Sequence, residues 1–309
     1  MRIRKICMPT DFSETAETAF GHALALAERF GASLDVLHVS DLHTVVPYDE
    51  IHHEPSFDDV LERLEETSGS EMQRLLQKAE SGDVMIREHQ RRGISVAPTI
   101  IEFATDHDID LLVLGAHGRR GLRRLLLGSV AEEVVQTAPC SVLTLRAGEA
   151  TATPQPWRRI LVPFDFSSGA RHALRAAKEL AARDHAMLEV VHVIDTPIYP
   201  AVYGLFGEPL PTPDFPRLVT GVEEHLATAV DAVGGPDVTV AVKAVAGTPA
   251  DGVLSRADDT DPDLIVLATR GLTGVEHLLL GSVAEKIVRR SACPVWTVKG
   301  ADEADEANA

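Results

Sequence analysis

The chain has 309 residues, 45% hydrophobic and 25% charged, an ordinary globular composition with length enough for two cores, which excludes a disordered or fibrous protein. Its net charge of −18 divides evenly, with 15 basic against 24 acidic side chains in residues 1–147 and 14 against 23 in residues 148–309, −9 each. Such a surface repels nucleic acid and anionic membranes, so neither is expected as a partner. The opening MRIRKICMPTDF lacks a long apolar stretch and no later run reaches membrane-spanning length, so a cytoplasmic protein is expected.

In chain order, an apolar strand near 3–9 runs into a helix from about Glu14 to Phe30 whose alanines and leucines fall on one face. A second strand, SLDVLHV, ends at Val39, and a polar, proline-bearing stretch follows from Ser40 to about Ser56. A helix near 57–79, a strand near 83–89 and a helix near 98–106 lead to the strand DLLVLG. A glycine-bearing loop, a helix from about Val130 to Gln136 and the strand SVLTL complete the series.

The series then repeats. RKICMPTDFS returns as RRILVPFDFS and LDVLHVSD as LEVVHVID, which places Asp165 against Asp11 and Val193 against Val39 at an offset of 154. LLVLGAHGRRGLRRLLLGSVAEEVV returns as LIVLATRGLTGVEHLLLGSVAEKIV at an offset of 153. A constant offset through separate segments signifies two copies of one domain. The expected boundaries are domain one at 1–147, a linker at 148–156, domain two at 157–299 and an acidic tail at 300–309. The second copy carries its own insert, rich in proline and aromatics, from Thr196 to about Phe215.

Apolar strands alternating with helices predict an α/β fold: two tandem open domains, each a five-stranded parallel sheet covered on both faces. In a 3-2-1-4-5 sheet the carboxyl ends of strands one and four are neighbours where strand order reverses, and ligands bind in that crevice. The Asp11 turn and the glycine loop sit at those two ends. The loop reads Gly115-x2-Gly118-x9-Gly128-Ser129. Glycines let backbone N–H groups approach an anion, and a helix opening at Gly-Ser adds its positive dipole end.

These motifs resemble those of the universal stress protein family, in its nucleotide-binding branch. PTDFSETA, from Pro9 to Ala16, resembles the branch's opening turn, and the resemblance covers roughly 3–146 and 158–299. It implies the adenine nucleotide alpha hydrolase-like fold with ATP or ADP as ligand and Mg2+ accompanying the nucleotide. Asp11 would meet the ribose and the backbone of Val39 the adenine. Gly115, Gly118, Gly128, Ser129 and Val130 would line the phosphates, with Pro9, Thr10 and Leu114 as adjacent walls. In copy two the matching residues are Asp165, Val193, Gly271, Gly281 and Ser282, but Ala268 replaces Gly115 and Phe164 replaces Thr10. The first loop carries Arg119, Arg120, Arg123 and Arg124, where the second has Arg270, Glu276 and His277.

Blander readings stand beside these. Asp11 could cap the first helix, since Asp-Phe-Ser-Glu fits a capping box, and Ser129 is itself a good N-cap residue. Gly115 and Gly118 could be turn glycines only. His38 and His192 read as strand-packing residues, and His43, His52 and His53 as part of a solvated insert rather than a metal site. Cys7, Cys140 and Cys293 have no metal spacing and read as buried thiols.

The resemblance further implies a stress-response role and pairing of domains through their last strands. SVLTL and PVWTV would pair within the chain as a pseudo-dimer, with a homodimer and unidentified protein partners beyond it. Three functional classes compete: a nucleotide-dependent sensor, a slow ATPase, and a nucleotide-free interaction or scaffold protein. No residue stands out as a water-activating base, so an enzyme is the lesser expectation.

Overall fold

A computed structural model describes residues 1–41, 57–79, 83–116, 127–146, 156–195, 215–269 and 280–299. All but the last residue of the expected linker, the tail and most of both inserts, including His43, His52 and His53, lie outside these residues. The chain divides into two units, Met1–Gln155 and Pro156–Ala309.

The first unit runs β1 (Lys5–Thr10), α1 (Glu14–Phe30), β2 (Ser33–Asp41), α2 (Phe57–Leu76), β3 (Ile86–Gly93), α3 (Val96–Asp106), β4 (Leu111–Gly115), α4 (Ser129–Thr137) and β5 (Ser141–Leu145). Its strands lie in the order β3-β2-β1-β4-β5 and every pair is parallel. The second unit repeats this with β6 (Arg159–Pro163), α5 (Ser168–Asp184), β7 (Met187–Asp195), α6 (Phe215–Ala232), β8 (Val240–Gly247), α7 (Pro249–Thr260), β9 (Leu264–Ala268), α8 (Ser282–Arg290) and β10 (Val295–Val298). Its order, β8-β7-β6-β9-β10, is the same doubly wound sheet.

Helix α1 forms where the sequence places Ala16, Ala19, Phe20, Ala23, Leu26 and Ala27 on one buried face. Ser13 caps its start, and Gly31 ends it in the left-handed region at φ 63°. Small residues on that face let the helix sit close to the sheet.

The register explains where a crevice opens. β1 pairs with β2 along its whole length, from Lys5↔Ser33 to Thr10↔His38. Against β4 it pairs only at Ile6↔Leu111 and Cys7↔Leu112, and β6 meets β9 only at Ile160↔Leu264 and Leu161↔Ile265. Strands one and four of each unit therefore part toward their carboxyl ends, at the point where chain order reverses.

β3 lies about four residues later than the pattern predicts. The expected strand lay near 83–89, but the ladder uses IREHQRRG. An edge strand buries little side-chain surface, so its residues carry no apolar signature, and charge there guards against edge pairing.

Candidate functional site

The site is built first from a turn. Past Thr10 the chain must leave the sheet and enter α1, and it does so with Phe12 in the left-handed region at φ 61°. The Thr10 hydroxyl accepts from the Phe12 N–H at 3.0 Å, and Asp11 Oδ1 accepts from the Ser13 N–H at 3.1 Å. Ser13 Oγ then accepts from the Ala16 N–H at 3.2 Å, which makes Ser13 the N-cap. The capping-box reading of Asp11 is thus corrected: the cap is two residues later, and Asp11 orders the turn before it. The second unit repeats the turn, with Phe166 at φ 66°, Asp165 Oδ1 accepting from Ser167 N–H at 3.1 Å, and Ser167 as cap.

His38 and His192 do more than pack. His38 Nδ1 lies 2.9 Å from the Thr10 carbonyl oxygen and His192 Nδ1 lies 2.7 Å from that of Phe164. Their rings meet Phe12 and Phe166 at centroid distances of 4.6 and 4.9 Å.

The end of β4 gives Gly115 a packing reason. A Cβ there would lie 2.9 Å from Thr15 Cγ2 and 3.1 Å from the Thr15 backbone carbonyl, closer than packed atoms tolerate. Where the second unit has Ala268 in place of Gly115, it has Gly169 in place of Thr15. By the repeat, the small residue has changed sides, an exchange that would leave room for the Ala268 Cβ.

The helix start is not capped as the sequence suggests. Gly128, not Ser129, is the N-cap of α4, and Gly281 that of α8; neither has a side chain to offer. The Gly128 N–H is used in a clasp, donating to the Ala116 carbonyl at 2.7 Å, and the Gly281 N–H donates to Thr269 likewise at 2.7 Å. Ser129 and Val130, as the first helical residues, have N–H groups with no acceptor inside the helix. These are the groups an anion would meet, aided by the dipole.

Pro9, Thr10, Asp11, Val39, Leu114, Gly115, Gly128, Ser129 and Val130 all line one cavity of about 800 Å³ over the carboxyl ends of β1, β2 and β4. Gly118 and Gly271, with the arginines of the first loop, lie outside the described residues. Asp165, Val193, Gly281 and Ser282 stand at the matching positions of the second unit. There Phe164, buried where Thr10 stands in the first unit, packs edge-on against Phe166 at 5.3 Å.

Sequence reasoning missed the outer wall of the cavity. Leu64, Thr67, Ser68 and Glu71 of α2 face it, as do Ile94 to Ala97 and Ile100 at the start of α3. The spacing 64, 67, 68, 71 is one helix face, a signal that was present but indistinguishable from a core stripe. The described lining includes the carboxylates Asp11, Asp41, Glu71 and Glu133 and no lysine or arginine. An anionic ligand there needs a cation, either from the loop at 117–126 or a metal ion carried with it.

Cys7 is fully buried, and that burial pushes its thiol pKa well up, with Asp35 adding to the effect; Cys140 and Cys293 are only half-buried, a correction to the expectation of three buried thiols. Among the described residues no group of three or more His, Cys, Asp or Glu side chains could hold a metal ion, and no helix is long and apolar enough to cross a membrane.

Open parallel sheets with a turn, a clasped loop and a helix start around the reversal point define a doubly wound α/β protein. The profile of the Universal stress protein family matches residues 2–146 and again 156–299, and the chain belongs to that family. A universal stress protein of Methanocaldococcus jannaschii is 36% identical over 143 residues, 46% of this chain and 82% of that one. One from Mycobacterium tuberculosis is 27% identical over 250 residues, 77% of this chain and 80% of that one. The crystal structure of a universal stress protein from Archaeoglobus fulgidus superposes with a TM-score of 0.68 at 21% identity, covering 97% of this chain and 100% of that one. The last comparison bears on fold alone.

Proposed function

We propose that the first domain binds an adenine nucleotide, ATP or ADP, and that the protein is a cytoplasmic stress-response sensor whose bound state is read by other proteins. The observation that carries this reading is the single cavity lined by the Asp11 turn, Val39 and the Gly128–Ser129 helix start. In this reading Asp11 accepts from ribose hydroxyls, the Val39 backbone meets adenine, and the N–H groups of Ser129 and Val130 meet phosphate. Pro9, Thr10 and Leu114 form the adjacent walls. Mg2+ travels with the polyphosphate and offsets the acidic lining. Nucleotide analysis of purified, acid-denatured protein tests the reading, and a protein that carries and binds no nucleotide returns it to the scaffold class. A turnover assay with magnesium separates a sensor from a slow ATPase.

The second crevice is proposed as the weaker site, by roughly tenfold. The turns and helix starts are alike, and Ala268 is balanced by Gly169, so the difference rests on the first loop's four arginines and on Phe164 in place of Thr10. Exposed arginines near phosphate each contribute a few tenths to about 1 kcal/mol, and about 1.4 kcal/mol is one decade of affinity. Titration of Asp165→Ala and Asp11→Ala variants with ATP measures each site separately; equal affinities would sink the idea.

The last strands, β5 and β10, are proposed, on the family resemblance, to join edge to edge as an intrachain pseudo-dimer, which would cover a sheet edge of each domain. Val295→Glu should then raise hydrogen exchange in both strands. Unchanged protection of β5 would count against the pairing.

A further inference from the structure

We propose that His38 is the positioning residue of the first domain's nucleotide site: its Nδ1–H holds the Thr10 carbonyl and so fixes where the Asp11 carboxylate points. This rests on the nucleotide reading above and adds to it a residue outside the ligand-binding motif.

The argument starts from strain. A phenylalanine in the left-handed region costs on the order of 1–2 kcal/mol, so the surroundings must hold the Asp11 turn against relaxation. In the first unit the Thr10 hydroxyl helps, accepting from the Phe12 N–H. In the second unit Phe164 has no hydroxyl to offer, yet Phe166 keeps φ 66° and the Asp165–Ser167 bond keeps its 3.1 Å. The side-chain hydrogen bond that both turns receive from the neighbouring strand is the imidazole, at 2.9 Å in one unit and 2.7 Å in the other.

The register supplies the geometry. His38 is the residue of β2 directly across from Thr10, at the last rung of the β1–β2 ladder. A carbonyl oxygen only accepts, so Nδ1 carries the proton. The same ring packs on Phe12 at 4.6 Å. His38 thus grips the residue before Asp11 through a hydrogen bond and the residue after it through ring contact. His38 also lines the cavity next to Val39, so one residue ties the ribose end of the site to the adenine end.

The test uses the full chain in an Asp165→Ala background, so that the second crevice does not contribute. His38→Leu removes the donor and keeps an apolar side chain. His38→Asn restores a donor, because the asparagine amide nitrogen sits where Nδ1 does. Calorimetry with ATP and with inorganic tripolyphosphate is the readout, and circular dichroism checks the fold. Expected is a roughly five- to tenfold loss of ATP affinity in His38→Leu, the value of one hydrogen bond, with recovery in His38→Asn and less than about a twofold change for tripolyphosphate. Unchanged ATP affinity in His38→Leu overturns the proposal, and so does an equal loss for ATP and tripolyphosphate, which would mark general damage. If His38→Leu does not fold, His38→Gln, whose amide sits beyond the Nδ1 position, takes its place with the same criteria. Absence of ATP binding by the Asp165→Ala parent, with Asp11 intact, overturns the nucleotide reading itself, and the positioning role with it.

Discussion

Gly128→Val is expected to lower ATP affinity at the first site by at least about a hundredfold while leaving the domain folded, a loss of about 2.7 kcal/mol or more. The backbone at Gly128, φ −67° and ψ 148°, is one that valine adopts readily, so the substitution brings no conformational strain. Its N–H still reaches Ala116 and its carbonyl still accepts from Glu132. What changes is the space at the mouth of α4, where a branched side chain would stand against an anion seated on the Ser129 and Val130 N–H groups. Valine is a poorer N-cap than glycine, by about 1 kcal/mol, which the rest of the domain can absorb. Gly128→Ala should fall between the two, and Gly281→Val should leave the first site untouched. Calorimetry with ATP in the Asp165→Ala background, beside circular dichroism, decides it. A folded valine variant with parental affinity would remove the helix start from the site.

The fold could be read from the sequence because its signals are local. Apolar runs of strand length, alternating with alanine-rich amphipathic stretches and repeated at a constant offset, leave little besides tandem parallel sheets. β3 was placed a few residues early because its exposed, charged residues, IREHQRRG, give no apolar pattern to fix its bounds. The lining of the candidate cavity was legible where it is carried by motif, at Asp11 and at Gly128–Ser129. It was illegible where the arrangement is carried by contact between distant residues. The reason for Gly115 lies in Thr15, a hundred positions away, and only that contact suggests reading Ala268 and Gly169 as one exchange and not two differences. His38 looked like a strand residue because nothing local reveals that its ring meets the Thr10 carbonyl across the ladder. Capping was misassigned for a related reason: Asp11 and Ser13 are both good cap residues, and which one caps depends on where the chain leaves the sheet.

The second large effect is on acid stability, and the repeat supplies its own control. His22, in α1, is partly buried, and its pKa is lowered to about 4, first by burial and then by the Arg29 guanidinium. A histidine in the unfolded chain takes up its proton near pH 6.5. Between pH 6.5 and 4 the unfolded state therefore binds the proton and the folded state refuses it. Stability from this group is full above pH 6.5 and is lost as pH falls toward 4. A shift of roughly 2.5 units corresponds to about 3 kcal/mol for the first domain. The matching residue of the second domain is Ala176, buried in α5 and unable to titrate. Carboxylates add their own acid sensitivity to both domains, so the comparison must hold them constant. His22→Gln does this, and it should flatten the loss across that window without altering stability at pH 8 by the same amount. Hydrogen exchange along α1, with α5 as the internal reference, reads each domain separately and avoids treating two domains as one transition. Parallel pH slopes for α1 in the parent and in His22→Gln would refute the assignment. A slope that moves to α5 instead would place the acid-sensitive step in the other domain.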